Sequence, residues 1–155
     1  MGTSKPGRYL NTKGSARTMS QFAQVHSSEG TFTRPSRPTD KLRLFNGGHG
    51  QEGMDLLDKY GIKYNVLKTY PNGVRVGNVP NHKDKRKRTG AKQAWFPSSW
   101  DAGTIKRAAE HVSRLQRNRD CPDNRPMFGT FKGVRVGVIR NNGQISTAFP
   151  DIHQP

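Results

Sequence analysis

The sequence predicts an α+β fold, an antiparallel β-sheet meander with two main helices packed on it. Three observations carry that expectation. Residues 127–150 alternate β-prone runs with turns: MFGTF, KG, VRVGVIR, NNG and QISTAFP, the pattern of three sequential strands. The runs YNVLKTY and VRVGNV are joined through Asn72-Gly73, a hairpin signal because the turn needs residues that tolerate positive φ. Ile105, Ala108, Ala109, Val112 and Leu115 recur at helical spacing, so that segment is an amphipathic helix buried by one face.

Taken in order, residues 1–40 come first as a poorly structured N-terminal arm. They are rich in Gly, Ser, Thr, Pro and Arg, and their apolar residues (Tyr9, Leu10, Phe22, Val25, Phe32) stand singly. A short helix over residues 19–25 is the one element expected there. Periodic structure begins near Leu42, so residues 41–155 are read as the folded domain. QEGMDLLDKY at 51–60 suits a short helix with Met54 and Leu57 on one face and Gly61 as its terminator. The hairpin follows. Residues 81–92 form a charged loop with six basic residues against one Asp, and a short apolar segment, AWFP, comes next. Ser99 or Asp101 can cap a helix running to about Arg117. Residues 118–126 are a loop before the meander. NGVRVGNV and KGVRVGVI resemble each other, but eight residues repeated once are equally two similar strands.

Composition narrows the class of protein. At 155 residues and 17.4 kDa the chain has the size of one domain with one core. Hydrophobic residues make up 30%, and no apolar run approaches the roughly 20 residues that cross a bilayer, so no membrane anchoring is expected. The first thirty residues hold no apolar stretch of the kind that marks a secretory signal. A single Cys121 makes neither an internal disulfide nor a Cys-rich zinc site. Lys and Arg total 27 against 11 Asp and Glu, a net charge of +16. A field of that sign draws polyanions, and nucleic acid is the default partner. An anionic membrane surface or an acidic protein would fit the charge as well.

Of the five histidines, His111 lies within the long helix and His153 in the tail, which leaves His26, His49 and His82. His49 sits in FNGGHG, where glycines leave the imidazole open to a substrate and permit positive φ. An exposed histidine in an ordinary glycine-rich turn is the plainer alternative. His82 sits in PNHKDKRKR, where like charge disfavours the imidazolium and a bound phosphate would lie close. The plainer alternative there is a solvated basic loop. No HExxH, HxH or Cys/His cluster is present, so no metal and no cofactor are expected. No Walker A or GxGxxG precedes a helix either.

Two histidines and a lysine suit one reaction well. RNA carries its own nucleophile, the 2′-hydroxyl. One imidazole removes that proton, and a second, protonated, gives one to the departing 5′-oxygen. An ammonium or backbone donors stabilise the charge on the non-bridging oxygens. DNA lacks the 2′-hydroxyl and would not be cut.

The stretch FPSSWDAGTIKRAAEHV, followed by FKGVRVGVIRNNGQISTAFP, resembles the bacterial EndoU nuclease domain, as does the NGGHG context of His49. The resemblance covers roughly residues 42–151. It implies a compact fold of the barnase, EndoU and RelE type, and metal-independent or metal-assisted RNA cleavage leaving a 2′,3′-cyclic phosphate. It further implies a C-terminal toxin domain of contact-dependent inhibition or a related secretion system. Such a domain is delivered into a target cell's cytoplasm and is paired with a cognate immunity protein, here one with an acidic surface. The family's two histidines, lysine and C-terminal threonine map onto His49, His82, Lys92 and Thr147, with His26 the rival for the second histidine. Lys83 and Lys85 rival Lys92, and together with Arg86 they would otherwise hold the RNA backbone. Phe149 stands where the family's Thr-x-Tyr-Pro has tyrosine, so a stacking surface remains and the hydroxyl is gone. Trp95, Phe96 and Trp100 could stack bases or pack in the core.

The expectation is therefore an endoribonuclease, with tRNA one candidate substrate. The alternative from another class is a non-catalytic basic module that binds RNA or DNA. A ribosome-associated basic protein also fits the charge, though not the Gly-Gly-His.

Overall fold

A computed structural model describes residues 18–33 and 42–155. Ser20 opens the first helix, α1 (Gln21–Ser28), by accepting the Ala23 N–H on its side chain at 3.1 Å. The short helix expected over 19–25 is thus displaced toward the C-terminus. Strands β1 (Thr31–Phe32) and β2 (Leu44–Asn46) pair antiparallel. Helix α2 (Gln51–Lys59) follows, with Met54 and Leu57 buried as their spacing predicts, and Gly61 takes a positive φ beyond its end.

The Asn72-Gly73 hairpin joins β3 (Asn65–Thr69) to β4 (Arg75–Asn78). AWFP contributes to a third strand of that sheet, β5 (Gln93–Trp95), paired antiparallel to β4. The basic loop before it contains a 3-10 turn at Lys85–Lys87. Asp101 is the residue that caps the long helix α3 (Ala102–Arg114), accepting from the Thr104 N–H at 2.8 Å. The helix stops before Arg117 because Leu115 turns extended, ψ 135°, and a 3-10 turn, Gln116–Asn118, follows. The meander forms as β6 (Met127–Phe131), β7 (Val134–Asn141) and β8 (Gln144–Pro150) in that spatial order. Its two turns carry paired positive φ values at Lys132-Gly133 and Asn142-Gly143, the backbone that tight hairpins require.

The architecture is α+β. The single sheet with two helices appears, among the described residues, as three small antiparallel sheets and three α-helices. The main core lies between α3 and the meander. Ile105, Ala108, Ala109 and Val112 meet Val134, Val136 and Val138, all on one face of β7 because side chains alternate along a strand. Full burial of each Val or Ile contributes about 1.5–3 kcal/mol. Phe96 and Trp100 stack within this core, ring centroids 5.2 Å apart, and Trp95 is buried in a second one with Leu44, Leu57 and Val79. The tryptophans are therefore packing residues.

Residues 18–33, part of the expected arm, pack closely on this body. Met19 N–H donates to Glu110 on α3 at 2.9 Å, and the Ser27 hydroxyl accepts the Ala148 N–H of β8 at 3.0 Å. The rest of the expected arm, 1–17 and 34–40, lies outside the described residues.

Candidate active site

The site begins where α1 ends. A helix leaves its last carbonyls without intrahelical partners. Here three consecutive carbonyls are taken up by the glycine-rich segment. Gly48 N–H donates to His26 O at 3.1 Å, His49 N–H to Ser27 O at 2.6 Å, and Gly50 N–H to Ser28 O at 3.0 Å. This ladder sets residue 26 against residue 48, so two histidines distant in sequence come to one place. Gly47 makes it feasible. Its φ is +70°, and a Cβ there would stand 2.2 Å from His26 O and 3.2 Å from His26 Nε2.

A cavity of about 940 Å³ opens over this junction. His26, His49, Lys87, Lys92, Thr147 and Phe149 all line it. His49 lies in its wall, 6% exposed, and its Nδ1–H donates to Ala94 O at 2.8 Å. A carbonyl only accepts, so Nδ1 carries the proton and Nε2 is the bare nitrogen of the neutral ring. Burial, then the Lys87 charge, hold the His49 pKa down to about 3, against the pull of the Ala94 bond. His26 is half-buried and its Nδ1 meets the Thr31 hydroxyl at 3.1 Å. Burial and Lys87 lower its pKa too.

Lys87 lies within electrostatic reach of His26, His49 and His82. Burial lowers its own pKa, opposed by Asp84. Its ammonium has no ion-pair partner among the described residues. Lys92 is exposed at the rim. Thr147 and Phe149 are two apart on β8 and so share a face. Phe149 lies 6.0 Å from the His49 ring, centroid to centroid. It is seated over Gly137, where a Cβ would come within 2.5 Å of its ring.

The sequence-derived residues thus divide. His49, His26, Lys92, Thr147, Phe149 and Arg86 reach the cavity, Arg86 while paired with Asp84 at 2.9 Å. His82, Lys83 and Lys85 do not line it. The His82 ring is turned inward, 1% exposed, and its Nδ1 accepts the Asp84 N–H at 2.9 Å. That leaves His26 as the histidine that lines the cavity with His49, while His82 stays within electrostatic reach of His49 from outside the lining. Lys87 is the lining residue that the sequence reading passed over. Within a run of cations, nothing local marks the one that folds inward. Phe22, Phe128 and Asn141 also line the cavity without having been singled out. Among the described residues no three His, Cys, Asp or Glu side chains gather as a metal site would, and no helix is long and apolar enough to cross a membrane.

Two imidazoles on one cavity beside an enclosed ammonium are a set suited to moving protons at a phosphodiester. Comparison with known proteins bears on the same region. No curated protein and no solved structure matches the chain. A family model, that of the bacterial EndoU nuclease, matches residues 1–152, which takes in both histidines, both lysines and the Thr147–Phe149 strand. The chain belongs to the bacterial EndoU nuclease family.

Proposed function

We propose that this protein is an endoribonuclease that cuts RNA by attack of the substrate's own 2′-hydroxyl. The observation that carries the proposal is the convergence of His26 and His49 on one cavity with Lys87. His49 Nε2, bare and held neutral, takes the 2′-hydroxyl proton. The 2′-oxygen forms a bond to phosphorus and the bond from phosphorus to the 5′-oxygen breaks. His26, as imidazolium, gives its proton to that oxygen. The products are a 2′,3′-cyclic phosphate and a 5′-hydroxyl end. The roles follow from the surroundings of each ring. Burial leaves His49 unprotonated at rest, ready to accept a proton in the transition state. His26, by contrast, is only half-buried and stands in the last turn of α1, where the helix dipole offsets part of the burial and Lys87 charge that lower its pKa.

Lys87 stabilises the charge on the non-bridging oxygens, and Lys92 at the rim holds the same phosphate or its neighbour. Thr147 orients the nucleotide. Phe149 offers a face for a base to stack on, and Arg86 adds a backbone contact. The family, together with a charge of +16, also supports a toxin domain delivered into a target cell and neutralised by an immunity protein of acidic surface.

The test is cleavage of total RNA, with tRNA assayed separately, by the parent, His26→Ala and His49→Ala, each checked for folding by thermal melt. The parent degrades RNA. Each variant loses about a hundredfold or more of the rate, the usual scale for an acid–base group, while still folded. RNA that shifts in a gel but stays intact with the parent would favour the non-catalytic binding module. Full activity in both variants would discard the site.

A further inference from the structure

His82 is buried and does not line the cavity. Apart from Arg43 Nη2, which donates to its carbonyl at 3.4 Å, its bonds serve one stretch of chain. Its N–H donates to Val79 O at 2.9 Å, and its carbonyl accepts from Arg88 Nε at 2.7 Å. Its Nδ1 accepts the Asp84 N–H, so the proton of the neutral ring sits on Nε2, which is buried with no partner among the described residues. Asp84 continues the chain of contacts. Its carboxylate accepts the Arg86 N–H at 3.0 Å and its carbonyl accepts the Lys87 N–H at 3.0 Å. The Lys87 carbonyl closes the circuit on the Val79 N–H at 2.9 Å. The loop from 79 to 88 is thus held by its own bonds, with the imidazole inside it, and is tied to β2 through the Lys83 N–H, which donates to Leu44 O at 2.9 Å. Lys87 lines the cavity, as Arg86 does, and Lys83 and Lys85 do not.

We infer that His82 is a positioning residue: its Nδ1 sets the register of the turn at 84–88, and so selects Lys87 from a run of cations as the ammonium that faces the scissile phosphate. The inference rests on the reading of Lys87 given above. Without an acceptor at 82 the Asp84 N–H is left unpaired, and the turn no longer distinguishes Lys87 from Lys85, two residues before it. The role needs an acceptor at that point and no proton transfer, which separates His82 from His26 and His49.

The experiment measures kcat and KM on a short RNA for the parent, His82→Asn, His82→Phe, Lys87→Ala and the double variant His82→Phe/Lys87→Ala, with thermal melts alongside. Asn keeps an acceptor near the Nδ1 position, whereas Phe keeps only the ring's volume. His82→Phe is expected to lower kcat on the order of a hundredfold, the scale of an ångström's misplacement, with KM little changed. His82→Asn recovers most of that loss. On the Lys87→Ala background His82→Phe costs nothing more, since the two act through one group. Equal losses on both backgrounds, or an Asn variant as slow as Phe, would overturn the inference while leaving Lys87 in place. A Lys87→Ala protein at parent rate would overturn the reading of Lys87 itself. If His82→Phe does not fold, His82→Leu, smaller and likewise without an acceptor, takes its place in the same cycle with the same two outcomes.

Discussion

Burial holds the His49 imidazole neutral to a pKa of about 3, with Lys87 adding to the effect, and the His26 pKa is lowered by the same two causes. A base must be deprotonated and an acid protonated in the free enzyme for kcat/KM to be high. His49 meets its condition everywhere above about pH 3. His26 loses its proton as pH rises through a value below the ordinary 6.5. The pH profile of kcat/KM is therefore expected to peak on the acidic side and to fall about tenfold per unit above neutrality. A maximum above pH 8 would contradict the assigned roles. At the same scale, Phe149→Leu removes the stacking face but none of the proton chemistry. Steady-state kinetics should show a raised KM with kcat nearly kept, whereas a loss in kcat alone would assign the ring to the chemical step.

How much the sequence disclosed differs from residue to residue. Gly73, Gly133 and Asn142-Gly143 mark their turns because the positive φ found there is rare for other residues. His49 is legible for a related reason, since its glycines are demanded by the close approach of α1. The inward turn of His82 is not legible, because nothing in PNHKDKRKR separates a ring that faces phosphate from one that accepts a backbone N–H. The same holds for Lys87 among its neighbours.

At the scale of elements, α3 could be read because its apolar spacing and its Asp101 cap agree. Asp101→Ala should cost about 1 kcal/mol of stability by urea unfolding, the usual worth of such a cap. No measurable loss would show that the Thr104 bond contributes nothing. Helix α1 was harder to read. Its larger apolar residues face outward, with Phe22 83% exposed, and its buried side is made of Ala23, Ser27 and Ser28. Hydrophobic periodicity has nothing to register there. Yet α1 carries His26 and the three carbonyls that hold the glycine segment. Gly47→Ala would force a Cβ against His26 O at a φ of +70°. RNA cleavage should fall with the thermal midpoint, and a variant equal to the parent in both would remove the ladder from the account.

At the scale of the whole molecule, positive charge and burial act in the same direction on the buried imidazoles, both disfavouring their charged forms. His49 and His82 have folded pKa values of about 3 and about 4, both below the ordinary 6.5. The unfolded chain therefore binds protons that the folded one refuses. Stability is full above pH 6.5 and is lost as pH falls from there toward 4, by up to about 1.4 kcal/mol per unit for each group. Urea unfolding across that range checks the sign, since a protein that gained stability on acidification would have these rings charged when folded. The net charge of +16 sets the response to salt. RNA affinity should fall steeply and linearly in log–log form as counterion release weakens, whichever nucleotide is read in the cavity. The functional reading turns on one proposed step, the passage of a 2′-hydroxyl proton to His49 Nε2. The most direct measurement follows an oligonucleotide with a single ribonucleotide among deoxynucleotides, and identifies the ends produced by mass. Cleavage confined to the ribonucleotide, leaving a 2′,3′-cyclic phosphate, is what the account predicts; cleavage of the all-deoxy strand, or ends bearing a 5′-phosphate, would contradict it.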